Sequence, residues 1–126
     1  MVEFTLPYPA RGKDKAAFCR RYGLNSIYAG KHWSARLEDK NYFRLLVRSE
    51  LQKQGIAQEY MEGPVEIVMS WDDGLDCDNH AYMGKLILDS LSGYLLHDDS
   101  RQWVQGVRHE FNREGIIRVT VRERED

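Results

Sequence analysis

Apolar positions along the chain recur with two different periods, and each period predicts one kind of element. Alternation, or a short apolar run between turn residues, predicts four strands, at residues 2–6, 65–71, 103–111 and 116–122. Spacings of three and four residues predict two helices, at residues 34–54 and 79–91. The order is therefore strand, helix, strand, helix, strand, strand. It predicts an α+β fold in which both helices pack on a small mixed β-sheet.

The two predicted helices each have an apolar stripe and a glycine at which they stop. The stripes are Phe43, Leu46, Val47 and Leu51 in the first helix and Met83, Leu86, Ile87 and Leu91 in the second. Ser34 is a suitable N-cap for the first helix, and Gly55 and Gly93 are suitable terminators. Residues 112–115 predict a turn between the last two strands.

The segment at residues 10–33 is basic and aromatic without a clean period, and we predict a long loop there. A loop of this length inside a small domain is often functional. The charged tail at residues 122–126 is predicted to fray. The whole chain, residues 1–126, fits one domain, and no internal repeat marks a second unit.

Charge is distributed unevenly between the two halves of the 126-residue chain. Residues 1–58 contain 11 Lys and Arg against 5 Asp and Glu, whereas residues 59–126 contain 7 against 15, so the halves carry +6 and −8. A basic half suits a polyanion, and an Asp-rich half suits a metal that acts on that polyanion. Chance unevenness of surface charge is the alternative, and composition alone favours neither explanation.

Several classes of protein are excluded or disfavoured by what the chain lacks. No apolar run approaches the roughly 20 residues that cross a bilayer, and the N-terminus has no signal-peptide pattern. We therefore expect a cytoplasmic protein without a membrane partner. Cys19 and Cys77 match no metal-binding spacing. The chain also has no EF-hand loop, G-x-S-x-G nucleophile, Gly-rich phosphate loop or H-E-x-x-H pair.

Two acidic clusters bracket the second predicted helix, with Asp76 and Asp78 just before it and Asp98 and Asp99 soon after it. Like charges repel, so such clusters commonly hold a cation. In an extended segment, residues two apart point to the same side, so Asp76 and Asp78 could bind one metal. Asp98 or Asp99 would supply a third ligand if the loop after the helix folds back toward Asp76 and Asp78. Mg²⁺ prefers such oxygens, and the site would suit phosphodiester hydrolysis.

Lys85 strengthens the case for phosphate chemistry. It lies seven residues after Asp78, nearly two helical turns, so the two side chains project from one face. An ammonium there could hold a scissile phosphate or stabilise charge in the transition state. The alternative is structural: Asp78 caps the helix, and Lys85 pairs with Asp89 at i+4. Asp78 or Lys85 taken alone favours the structural alternative. Taken together with Asp76, Asp98 and Asp99, they favour a metal-dependent catalytic site.

The spacing of these residues resembles that of the RusA family of Holliday junction resolvases. The matching run is Asp76-x-Asp78-Asn79, then Lys85-x-x-x-Asp89-x-Leu91, then Asp98-Asp99-Ser100-x-Gln102. The segments Thr5-Leu6-Pro7-Tyr8-Pro9 and Asn25-x-x-Tyr28 are similar to the family's opening strand and the loop after it. Residues between Pro9 and Asn25 then look like an insertion. The order of elements is similar along nearly the whole chain.

This resemblance implies a RusA-like nuclease domain over residues 1–126 that acts as a homodimer and nicks four-way DNA junctions symmetrically. It implies Mg²⁺ as the cofactor, with Mn²⁺ as an alternative ion. By motif position, Asp76, Asp78 and Asp99 are the implied catalytic carboxylates that bind the metal, and Lys85 is the implied essential lysine. A twofold protein can place two equivalent sites on the two equivalent strands of a junction.

Two departures from the family pattern bear on these expectations. Lys85 lies about two turns after Asp78, where the family's more familiar spacing is one turn, so it keeps its face but moves about 5 Å along the axis. Asp72 and Asp73 stand where the family often has basic residues, and they would repel a phosphate unless a metal also sits there. The role of this acidic pair stays open.

DNA contacts are therefore expected from the basic loop and the first helix, at Asn25, Tyr28, Lys31, His32, Arg36 and Arg44. Tyr28 and Trp33 could stack on bases opened at the junction, although ordinary packing is the alternative for both. Two other functions stay open. One is a relative that binds branched DNA and cuts it weakly or not at all, and the other is a metal-dependent hydrolase of a smaller phosphoester.

Overall fold

The structure, a computed structural model, describes residues 1–124. Within that range, four helices and a four-stranded mixed sheet confirm the predicted α+β class. In chain order the elements are β1 (Val2–Pro7), α1 (Gly12–Tyr22), α2 (Leu24–Tyr28), α3 (Trp33–Lys53), β2 (Val65–Trp71), α4 (Ala81–Leu91), β3 (Val104–Phe111) and β4 (Ile116–Glu123). A short 3₁₀ helix, Cys77–His80, leads into α4. No helix among residues 1–124 is long and apolar enough to cross a bilayer.

The strands lie in the order β1-β4-β2-β3. β4 runs antiparallel to both β1 and β2, whereas β2 and β3 are parallel and are connected through α4. The last two strands, although joined by a short turn, are therefore not neighbours, because β2 lies between them. The turn crosses the end of β2, where the Asn112 N–H donates to the Trp71 carbonyl at 2.8 Å.

One face of the sheet forms the core with α3 and α4. In β2 and β4, alternate side chains on this face are fully buried, namely Val65, Ile67, Met69, Trp71, Ile117, Val119 and Val121. The predicted stripe of α4 is buried as well, and so is that of α3 except for Leu46, which is half-buried. Gly55 and Gly93 follow these helices with φ of 77° and 84°, a left-handed conformation that suits glycine as a terminator.

The predicted long loop at residues 10–33 is wrong, because this segment folds mainly as α1 and α2. Phe18 and Tyr22 are four residues apart on α1, so they share one face. Both rings are buried and pack on Phe43 of α3, with centroid distances of 6.0 and 4.9 Å. Two apolar anchors among many charged residues are enough to dock the helix, although they give little periodic signal.

Three predicted boundaries also change. Ser34 is not the N-cap of α3; His32 is, and its ring nitrogen Nδ1 accepts a hydrogen bond from the Ser34 N–H at 3.2 Å. Asn79 belongs to the 3₁₀ helix and not to α4. The predicted fraying is wrong as far as residue 124, because β4 extends to Glu123 and the Arg124 N–H donates to the Pro64 carbonyl. Residues 125–126 lie outside the described residues.

Candidate functional site

Two buried side chains of the loop between β2 and α4 hold it against the rest of the domain. The side chains of Asp73 and His80 are both fully buried, and His80 Nε2 lies 2.8 Å from Asp73 Oδ1. The Tyr8 hydroxyl donates to Asp73 Oδ2 at 2.7 Å, and the His80 ring stacks on Trp71 with centroids 4.4 Å apart. These contacts fix both ends of the segment that carries Asp76 and Asp78.

The same contacts explain the acidic pair Asp72-Asp73. Burial alone would raise the pKa of Asp73, but hydrogen bonds from His80, Tyr8 and the Leu75 N–H together lower it below its ordinary value. Asp72 Oδ2 accepts the Gly115 N–H at 2.7 Å, so it joins the loop to the turn before β4. Both carboxylates are structural anchors, and their charge is matched by donors of the protein itself.

Asp76 and Asp78 are both exposed, but they do not share one extended segment as the sequence suggested. Asp76 has extended backbone angles, with φ −67° and ψ 159°, whereas Asp78 lies inside the 3₁₀ helix. Residues two apart in a helical turn do not face each other. The premise that alternation points both carboxylates at one metal is therefore wrong. Asn79 connects this turn to α2, since its Oδ1 accepts the Asn25 N–H at 3.3 Å.

Lys85 lies between two carboxylates on and after α4. Its Nζ is 3.5 Å from Asp89 Oδ1 and 3.8 Å from Asp99 Oδ2. The i+4 pair of the structural alternative is thus present, and Asp99 joins it. Asp98 points elsewhere: its Oδ1 accepts the Ser100 N–H at 2.8 Å, and hydrogen bonds from Ser100 lower the pKa of Asp98. Of the second acidic pair, Asp99 is therefore the one that reaches Lys85.

These residues do not form a ready three-ligand metal site. Among residues 1–124, no group of three or more His, Cys, Asp or Glu side chains is arranged to hold a metal ion. Asp76, Asp78 and Asp99 are therefore not brought together as the sequence predicted, and the partner of Asp99 is an ammonium. A Mg²⁺ ion held here by fewer carboxylates would complete its shell with water and substrate phosphate oxygens, as it commonly does.

An open groove of about 580 Å³ lies between α2, α3 and α4, and we call it the basic groove. Its cations are Arg36 and Lys40 from α3 and Lys85 from α4; its lining acid is Asp89. Trp33, Leu37, Leu24, Ile27 and Tyr82 supply most of the remaining lining. The predicted catalytic residue Lys85 therefore lines the same groove as the basic side chains of α3.

The residues predicted to contact DNA fall into two groups. Asn25, Tyr28, Arg36 and Arg44 are exposed, and Arg36 lines the basic groove. His32 is exposed but also caps α3. Lys31 is different, because its side chain is only 12% exposed and its Nζ forms an ion pair with Asp39 Oδ2. Little of its surface is left for a phosphate, and its role as a DNA contact stays a prediction.

Asp39 is the residue near this groove that the sequence reasoning missed. Its fully buried carboxylate accepts from Arg21 Nε at 2.9 Å and from the Tyr82 hydroxyl at 2.7 Å, besides pairing with Lys31. Burial and this hydrogen bond raise the pKa of the Tyr82 hydroxyl. A signal was present in the chain, since Asp39 lies four residues before Phe43 and so continues the apolar stripe of α3.

Comparisons with known proteins give no relative for this chain. No family model, no curated protein and no solved structure matches it. The resemblance to the RusA family therefore stays a prediction that rests on the run of residues from Asp76 to Gln102.

Proposed function

We propose that the protein is a Mg²⁺-dependent endonuclease that acts on branched DNA and resolves four-way junctions by paired symmetric nicks. One observation carries the proposal. Lys85 both contacts Asp99, a predicted catalytic carboxylate, and lines the basic groove with Arg36 and Lys40. Mn²⁺ is an alternative ion, and the proposed working form is a cytoplasmic homodimer.

The charge of the groove supports a nucleic-acid substrate. Each phosphate that a Lys or Arg neutralises releases bound counterions, which favours binding and makes it dependent on salt. Three cations in one groove provide for contacts with successive phosphates. The Lys85 side chain is 66% exposed, so its ammonium is accessible to a phosphate despite its two carboxylate neighbours.

In the proposed site, Asp76, Asp78 and Asp99 would hold the metal, whose chemistry is to activate a water for phosphodiester hydrolysis and to offset negative charge. The three side chains do not already form a ligand set among the described residues. Lys85 would orient the scissile phosphate and stabilise the charge that develops on it. Asp73 and His80 hold the loop that presents Asp76 and Asp78.

A second candidate, binding of branched DNA with weak or no cleavage, is favoured by one observation. The described residues lack a three-ligand metal group, while the basic groove is complete. A protein with these two properties would recognise the branch and leave the strands intact. The experiment must therefore measure binding and cutting separately.

The test uses purified full-length protein, a synthetic four-way junction and a linear duplex of the same sequence, each with Mg²⁺ or with a chelator. Paired nicks at the branch that need Mg²⁺ and disappear in Asp78→Asn would support the nuclease. Asp14→Asn is the matched control, because it removes an exposed carboxylate on α1. Tight junction binding without nicks would favour the second candidate. If the protein binds and nicks the junction and the duplex equally, both candidate functions are wrong.

A further inference from the structure

The basic groove combines two kinds of surface that a nucleotide requires. Its walls are apolar, from Leu24, Ile27 and Leu37, while three cations lie among them. Trp33 lines the groove and has 66% of its surface exposed. An indole ring that remains this exposed contributes little to the core and is free to stack on a ligand.

Two other hollows on the described surface lack this combination. The groove beside β1, of about 300 Å³, is lined by Glu59, Glu62 and Glu123 and by no Lys or Arg, so it repels phosphate. A hollow near the start of β3 has Arg101 and Arg124 but no aromatic side chain. Neither could accept both a phosphate and a base.

We propose that the basic groove binds one unpaired nucleotide of the DNA substrate, with its base stacked on Trp33 and its two flanking phosphates among Arg36, Lys40 and Lys85. This inference rests on the proposed function and adds which part of the DNA enters the groove, namely a nucleotide whose base is unpaired at the branch. A base inside a duplex is stacked on both sides and cannot enter a groove between helices. A base that is unpaired at a branch can enter the groove, so the groove would bind unpaired DNA in preference to duplex.

Charge argues for a nucleotide over an apolar protein segment as the occupant. An apolar segment would cover Arg36 and Lys40 without supplying any negative charge, and covering an uncompensated charge is costly. A nucleotide supplies a phosphate for the cations and an aromatic base for the walls. Asp89, the acid in the lining, lies 3.5 Å from Lys85 Nζ, so its charge is already opposed within the protein.

The test measures binding of a fluorescently labelled six-residue oligothymidylate by anisotropy, since this probe has no duplex. Stacking of a base on an aromatic side chain predicts that Trp33→Leu weakens the affinity about fivefold or more, and that Trp33→Phe largely retains it. Leu45→Ala is the control, because Leu45 is 73% exposed on α3 and does not line the groove. Its affinity should equal that of the unchanged protein.

A second variant tests the phosphate contact independently. Lys40→Gln should lower the slope of log affinity against log salt concentration by about 0.7, the value for one phosphate contact on a single strand. Lys53→Gln, which removes an exposed lysine near the end of α3, should leave the slope unchanged. Circular dichroism of each variant confirms that it is folded.

The outcomes separate this inference from the nuclease proposal. If the protein nicks junctions but Trp33→Leu and Lys40→Gln bind the oligonucleotide like their controls, the groove inference is overturned and the nuclease stands. If both variants lose affinity as expected while the unchanged protein nicks nothing, the groove inference stands and the nuclease proposal fails.

Discussion

The Tyr82 hydroxyl of α4 donates a hydrogen bond of 2.7 Å to the buried carboxylate of Asp39 on α3. The same carboxylate pairs with Arg21 of α1 and with Lys31, which precedes α3. One side chain therefore connects α1, α3, α4 and the segment before α3. Because α3 and α4 form two walls of the basic groove, the hydrogen bond between Tyr82 and Asp39 joins these two walls.

Replacing Asp39 by alanine is expected to destabilise the protein by about 3 to 5 kcal/mol, the usual cost of removing one partner from a buried ion pair. The Lys31 side chain, which is only 12% exposed, would lose the counter-charge of its ammonium. Urea unfolding followed by circular dichroism measures the effect. Glu38→Ala is the control, because Glu38 is 73% exposed and its contact with Arg21 is a surface pair. Equal stability of the two variants would contradict the central role of Asp39.

Gly84 should not tolerate alanine, although alanine is the better helix former by about 1 kcal/mol. A Cβ at this position of α4 would lie 2.8 Å from His109 Cε1 and 3.3 Å from Met69 Sδ, two side chains of the sheet. Overpacking of this kind typically costs about 1 to 3 kcal/mol. Thermal unfolding should show a lower Tm for Gly84→Ala. Gly12→Ala, where no atom lies within 4 Å of the added Cβ, should show no loss.

Stability should fall as the pH drops below the ordinary histidine pKa of about 6.5, in part through His109. Burial, with a smaller contribution from His80, lowers the pKa of His109 in the folded state. The unfolded chain then binds the proton more readily, so His109 contributes its full stability above pH 6.5 and loses it on acidification. Comparison of the free energy of unfolding at pH 7.5 and 5.5 should show a smaller decrease in His109→Asn than in the unchanged protein.

His97→Gln is the control for this titration, because His97 is exposed. Asparagine at position 109 retains an acceptor for the Trp71 Nε1–H, which donates to His109 Nδ1 at 3.1 Å. If His109→Asn and the unchanged protein lose the same free energy of unfolding between pH 7.5 and 5.5, the pKa of His109 does not change on unfolding.

If the proposed nuclease function holds, Lys85→Gln should lower the rate of junction nicking about 100-fold or more, the scale of losing one group that stabilises transition-state charge. Its stability should change little, because the side chain is 66% exposed and its ion pairs are surface contacts. Lys53→Gln is closely matched, with 69% exposure and one carboxylate at 3.5 Å. Single-turnover assays with Mg²⁺ measure both rates, and equal nicking by the two variants would remove Lys85 from the mechanism.

The regular elements near the core were predictable from the sequence because their apolar residues recur at clean intervals. The stripe of α4 and the alternation of β4 are examples, and both are buried as expected. α1 was missed because only Phe18 and Tyr22 anchor it, and the surrounding lysines and arginines obscure the period. The position of β2 between β3 and β4 was not predictable either, since sequence order does not determine which strands pair.

The candidate site was predictable only in part, because its geometry depends on contacts between distant segments. The pairing of Lys85 with Asp89 follows from helical spacing, and it is present. The conformation of the loop that carries Asp78 depends instead on Asp73 and His80, whose partners include Tyr8, 65 residues earlier than Asp73. The basic groove depends on how α2, α3 and α4 meet, which no local pattern encodes.

The place of β4 in the sheet has a consequence for how the chain folds. β1 pairs only with β4 among the described strands, and its Val2 faces Val121 across almost the whole length of the chain. Such non-local pairing must overcome a large loss of chain entropy and is intrinsically slow. During synthesis, β1 and the helices leave the ribosome before their sheet can close. The core that β1 to β4 build is therefore complete only once β4, the last of these four strands in chain order, has been made.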